Sequence, residues 1–145
     1  MSNHASRPLA WLDVADIVAL HQDVMERMGE AAQPHNPDRL EGAVMRPRMV
    51  AFYEGVEDPV SLGALLAVGI SQAQAFLDGN KRTGYAALSI FLRINGIRLA
   101  VDWLEVAKYL EGIAEAPDRD EATHAFASWL RANTAPRTQS DRNAT

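Results

Sequence analysis

The sequence predicts an all-α domain, a compact helical bundle packed around one central buried helix over residues 81–95. Three observations carry this. Helix-start signals recur along the chain at Asp13, Asp38, Asp58, Asp102 and Asp118. Apolar residues follow most of them at helical spacing. Only one stretch, Met49 to Tyr53, has strand character, and it is short. A chain of 145 residues suits one domain and can bury a real core. That domain is expected at 11–133. Polar stretches at 1–10 and 134–145 read as disordered tails.

Asp13 can cap a first helix whose Ile17, Val18, His21, Val24, Met25 and Met28 form one apolar stripe ending near Gly29. Asn36 and Pro37 break the chain. Asp38 with Glu41 then reads as a capping pair opening a short helix that Pro47 ends. A small hairpin is expected at 49–56. Asp58 followed by Pro59 starts the next helix, with Leu62, Leu65, Leu66, Gly69 and Ile70 on its inner face. A loop around Phe76 to Asn80 leads into the central helix, where Tyr85, Leu88, Ile90, Phe91, Leu92 and Ile94 put apolar surface on nearly every face before Gly96. Two more capping pairs, Asp102 with Glu105 and Asp118 with Glu121, open the last two helices.

Composition narrows the function. The chain has no cysteine, so disulfides and thiolate metal sites are excluded. No apolar run is long enough for a membrane-spanning helix, and the N-terminus has no leader-like apolar stretch, so a cytoplasmic protein without membrane contact is expected. A net charge of -5 disfavours direct nucleic-acid binding, which needs a basic surface.

The informative segment runs from Gln74 to Thr83. It sets Lys81 and Arg82 at the start of the central helix, where cations oppose the helix dipole at a cost of about 0.3–1 kcal/mol each. An anion bound at that end would reverse the cost. Free N–H groups of the first turn would hold it, and Gly79 would let the backbone close around it. Arg82 offers a planar fork for phosphate oxygens, Lys81 a mobile point charge, and Asp78 a carboxylate for magnesium. The same residues also suit an ordinary turn flanked by solvated cations.

Phe76, Asp78, Gly79, Asn80 and Arg82 match the Fic family signature His-x-Phe-x-Asp/Glu-Gly-Asn-x-Arg, and Lys81 resembles the death-on-curing (Doc) branch of that family. Leu40 to Pro47 resembles the segment before the family's flap, and Phe91 to Gly96 the end of its central helix; the likeness spans Trp11 to Leu130. The resemblance implies a Fic/Doc-type fold whose loop binds ATP and magnesium through Asp78, Gly79, Asn80, Lys81 and Arg82. Fic members transfer AMP to a protein hydroxyl. Doc members transfer the terminal phosphate, elongation factor Tu being a target, and act as toxins restrained by an antitoxin in trans. The flap would dock the target, with Phe52 and Tyr53 lining it; the alternative for these two is ordinary core packing.

The departure is Gln74, which stands where the family's catalytic histidine takes the proton from the attacking hydroxyl. A glutamine amide accepts hydrogen bonds but is far too weak a base. A toxin crippled at this step is therefore expected, and the alternative is a pseudoenzyme serving as a nucleotide- or protein-binding module. His21, on the apolar stripe, reads as a packed, hydrogen-bonded side chain rather than a substitute base, and Trp11, Trp103 and Trp129 read as core or surface anchors. The family's inhibitory Ser/Thr-x-x-x-Glu-Gly/Asn pattern is not matched: Glu41, Glu54 and Glu111 are preceded four residues earlier by Pro37, Val50 and Ala107.

Overall fold

The computed structural model describes residues 8–138 and residue 140. Its elements are α1 (Val14–Arg27), α2 (Pro37–Glu54), α3 (Pro59–Ala73), α4 (Asn80–Ile94), β1 (Ile97–Leu99), α5 (Trp103–Glu115), α6 (Arg119–Ala132) and β2 (Thr134–Pro136). The fold is the expected helical bundle, with one small antiparallel strand pair in which Ile97 lies opposite Pro136 and Leu99 opposite Thr134.

The cap chemistry explains most helix starts. Asp58, Asp102 and Asp118 each accept a hydrogen bond from a first-turn N–H, of Val60, Glu105 and Glu121 respectively. Asp13 and Asp16 form a reciprocal pair at the start of α1. Asp58 also receives Arg131 from α6 at 2.9 Å, which ties the far ends of α3 and α6 together. Burial alone would raise its pKa, but hydrogen bonds from Arg131, Ser61 and the Val60 N–H outweigh that and hold it below the ordinary aspartate value.

Two helices share the centre. α3 packs against α2, α4, α5 and α6, and buries Leu62, Leu66, Ala67 and Ile70. α4 packs against α1, α3 and α5 through Thr83, Ala87, Leu88 and Phe91. Their approach is close because Gly84 lacks a side chain. A Cβ there would lie 2.8 Å from the Ala67 carbonyl oxygen, a backbone atom that cannot swing aside. The α3–α4 register thus sets where the loop between them sits.

The second helix departs from expectation at both ends. Its cap is Asn36, not Asp38: the Asn36 side chain accepts from the Arg39 N–H at 3.1 Å, and Pro37 takes the first helical position. The expected hairpin at 49–56 is not formed. α2 continues through Pro47 to Glu54 and stops at Gly55, which adopts φ 68°. A proline inside a helix removes one donor and strains the carbonyl four residues back, here that of Ala43. Pro47 is buried, and the Ala43 carbonyl faces Gly69 of α3, where a Cβ would come within 3.4 Å of its oxygen. The packing of α2 on α3 overrides the local stop signal.

Strand structure lies elsewhere, and parts of both stretches expected as tails are packed into the fold. Thr134–Pro136, assigned to the C-terminal tail, is paired with β1. Residues 8–10 of the N-terminal tail are docked: Leu9 packs on the core, and Ala10 exchanges two hydrogen bonds with the Asn95 side chain at 2.9 and 3.0 Å. The rest of both expected tails, 1–7, 139 and 141–145, lies outside the described residues. Among the described residues no helix is long and apolar enough to cross a membrane.

Candidate active site

The loop between α3 and α4 is held from beneath by α1. His21 of α1 is buried and stacks on Phe76 with ring centroids 3.7 Å apart and planes 12° from parallel. Its Nε2 lies 2.9 Å from the Asp78 carbonyl oxygen. A carbonyl only accepts, so Nε2 carries the proton and donates. Asn80 closes the loop on itself: its Oδ1 accepts from the Phe76 N–H at 3.2 Å, and its Nδ2 donates to the Phe76 carbonyl at 2.8 Å. The Ala75 carbonyl accepts from the Asn36 N–H at 2.8 Å. Gly79 adopts φ 77°, and a Cβ there would come within 3.0 Å of the Met25 sulfur. These bonds fix the path of the loop before any ligand arrives.

What remains free faces outward. The first-turn N–H groups of α4 have no carbonyl within the helix to bond, and they point along its axis from Asn80, Lys81 and Arg82. The Asp78 carboxylate is exposed and accepts from the Gly79 N–H at 2.7 Å. Lys81 and Arg82 are exposed beside it. Lys81 Nζ lies 3.4 Å from a Glu111 carboxylate oxygen, a loose surface pair. The Arg82 guanidinium lies 4.7 Å from the ring centroid of Trp103. These groups border a cleft of about 870 Å³, walled on the far side by α5 through Trp103, Glu111 and Ala114. Small-ligand sites span roughly 300–1,000 Å³.

Gln74 is the last residue before the loop and caps α3 in the left-handed region, φ 52° and ψ 40°. Its side-chain amide donates to the Ser71 carbonyl at 3.2 Å, satisfying an acceptor that the helix end leaves open. It also lines the cleft.

The structure thus brings Gln74, Asp78, Gly79, Asn80, Lys81 and Arg82 to one cleft wall. Asn80 differs from expectation in that its side chain is used within the loop, bonding the Phe76 backbone, which leaves its own N–H toward the cleft. Phe52 and Tyr53 are not brought there. α2 begins beside the loop, at the Asn36–Ala75 hydrogen bond, and fifteen residues of helix at 1.5 Å each carry Phe52 roughly 20–25 Å away. They are not core residues either, being 79% and 72% exposed and stacked edge to face on each other. Sequence reasoning missed Trp103 and Glu111 as cleft residues, since nothing local to α5 indicates which loop it faces. It read His21 as packed and hydrogen-bonded, which the structure bears out, but not that its partner is the loop.

A magnesium–nucleotide ligand can be tested against this donor set. Among the described residues no group of three acidic or histidine side chains could cage a metal. Magnesium usually takes one or two carboxylates and completes its shell with phosphate oxygens and water, so Asp78 beside free N–H groups and two cations fits a metal–polyphosphate rather than a metal alone.

A family model described as Fic/DOC family matches residues 11–92. The chain is 30% identical over 99 residues to the protein kinase doc of Escherichia phage P1, which covers 68% of this chain and 78% of that protein. It is 40% identical over 67 residues to Toxin Doc of Mycolicibacterium smegmatis, covering 44% of this chain and 50% of that one. The chain belongs to the Fic/DOC family, and the cleft described above falls on the family's signature loop.

Proposed function

We propose that this chain is a Doc-like toxin component whose loop binds ATP with magnesium, and whose transfer of phosphate or AMP to a protein hydroxyl is crippled at Gln74. The observation that carries the reading is the pre-formed loop. Its own backbone is satisfied by His21, Asn36 and Asn80, while its free donors and both cations face the cleft. An arrangement with no anion would leave Lys81 and Arg82 working against the α4 dipole.

Within this reading the first-turn N–H groups of α4 and the Arg82 fork hold phosphate oxygens. Asp78 would hold magnesium, and Lys81 would leave Glu111 for the stronger charge of the phosphates. When bound, ATP supplies the group that is transferred. The name of the phage relative, a protein kinase, favours phosphate over AMP. Gln74 can hydrogen-bond the target hydroxyl but cannot take its proton. Membership of a family with named toxins supports a separate antitoxin as the regulator. A second reading, a pseudoenzyme that binds without chemistry, draws on the bond from Gln74 to Ser71, which gives the glutamine a structural place in the loop.

Calorimetry with ATP and magnesium tests the site. Saturable binding is expected, and Arg82→Ala should weaken it by about 1.5–3 kcal/mol, the usual worth of a hydrogen bond to a charged group. Equal binding by both proteins, or none by the parent, would reject the site.

A further inference from the structure

Arg82 stands third in α4, exposed, with a positive charge that the helix end repels. Left to itself such a side chain samples many rotamers, and the acids of α5 lie within the same cleft. Yet it donates to no protein group among the described residues. Its guanidinium carbon instead lies over the Trp103 ring, 4.7 Å from the centroid and inside the cation–π range of about 6 Å. The ring is itself fixed. Trp103 is the first residue of α5, placed by the Asp102 cap, and Tyr85 of α4 meets it at 5.9 Å with planes 61° apart.

A stack and an ion pair hold a cation in different ways. A carboxylate partner would occupy the in-plane N–H edges of the guanidinium, the same edges that a phosphate needs. An aromatic face holds the cation in place without accepting any N–H···O bond from it. Lys81 shows the contrast, since its ammonium is engaged by Glu111. Trp103 also lies outside residues 11–92, so the family match gives it no role.

We propose that Trp103 is a positioning residue that holds the Arg82 fork ready for the anionic ligand, a role that rests on the polyphosphate reading of the cleft. Calorimetry with ATP and magnesium on the parent chain, Trp103→Leu, Trp103→Phe, Arg82→Ala and the double variant Arg82→Ala/Trp103→Leu tests it. Trp103→Leu should bind about two- to fivefold more weakly, the equivalent of an exposed cation–π contact, and Trp103→Phe should keep most of the affinity. In the Arg82→Ala background the Trp103→Leu change should add nothing, because a residue acting through Arg82 has no route without it. A loss of equal size in both backgrounds, or no loss in either, overturns the proposal. A parent chain that binds no ATP sinks this role together with the function, whereas binding that needs Arg82 but ignores Trp103 sinks this role alone. Should Trp103→Leu fail to fold, NMR of the parent protein decides: the Arg82 side-chain protons should be displaced upfield by the indole ring, and their ordinary shifts would overturn the stack.

Discussion

Gln74→His is expected to raise transfer of phosphate or AMP to a protein hydroxyl by about 10²–10⁴-fold, the usual contribution of a general base. Phe76, Asp78, Gly79, Asn80 and Arg82 otherwise match the signature around position 74. The residue sits in the left-handed region, where histidine is enriched among non-glycine residues, so the exchange should leave the backbone in place. The present amide donates to the Ser71 carbonyl, and the Nδ1–H of a histidine can make the same bond. That would set the tautomer and leave Nε2 as a proton acceptor near neutral pH. Expressed in bacteria, the histidine form should arrest growth, a cognate antitoxin should relieve the arrest, and mass spectrometry should find a modified target. A gain of one phosphate or of one AMP would tell the two transfers apart. A histidine form that folds and binds ATP yet modifies nothing would instead support the pseudoenzyme reading.

Phe76→Ala should produce the largest loss of stability at the site. Phe76 is 3% exposed and lies between His21 and the core, so its truncation should cost about 3–5 kcal/mol, the usual range for a buried phenylalanine. Typical domains have only about 5–15 kcal/mol of stability in total, so the melting point should fall by many degrees. The damage should also reach the ligand. Without the ring beneath it, His21 loses the surface that orients its Nε2–H toward the Asp78 carbonyl, and the loop loses a fixed path. Thermal unfolding followed by circular dichroism, with ATP binding measured well below the midpoint, checks both effects. Unchanged stability would contradict the packing described here.

The sequence carried the local chemistry well. The aspartate caps at 13, 58, 102 and 118 are where the chain said they would be, because a cap is a contract among residues two or three apart. The loop from Gln74 to Arg82 was legible for the same reason, since its glycine, its amide and its charges act within one turn. What sequence misjudged depends on distant packing. Pro47 reads as a helix stop, but the α2–α3 contact at Gly69 carries the helix through it. The pairing of Ile97–Leu99 with Thr134–Pro136 joins short segments far apart in the chain, with no alternating pattern long enough to show it. The side chains of Trp103 and Glu111 enter the cleft because α5 packs along α4, a fact of tertiary arrangement. Phe52 and Tyr53 were assigned to target docking by analogy with a hairpin, and the continued helix instead presents them roughly 20–25 Å from the loop.

The most direct measurement is a crystal structure of this chain with magnesium and a non-hydrolysable ATP analogue. The account predicts the phosphates at the N-terminus of α4, within hydrogen-bonding distance of the first-turn N–H groups and of the Arg82 guanidinium, with the metal on Asp78 and Lys81 drawn away from Glu111. Phosphates lodged anywhere else, or a saturated crystal with no nucleotide in the cleft, would contradict it.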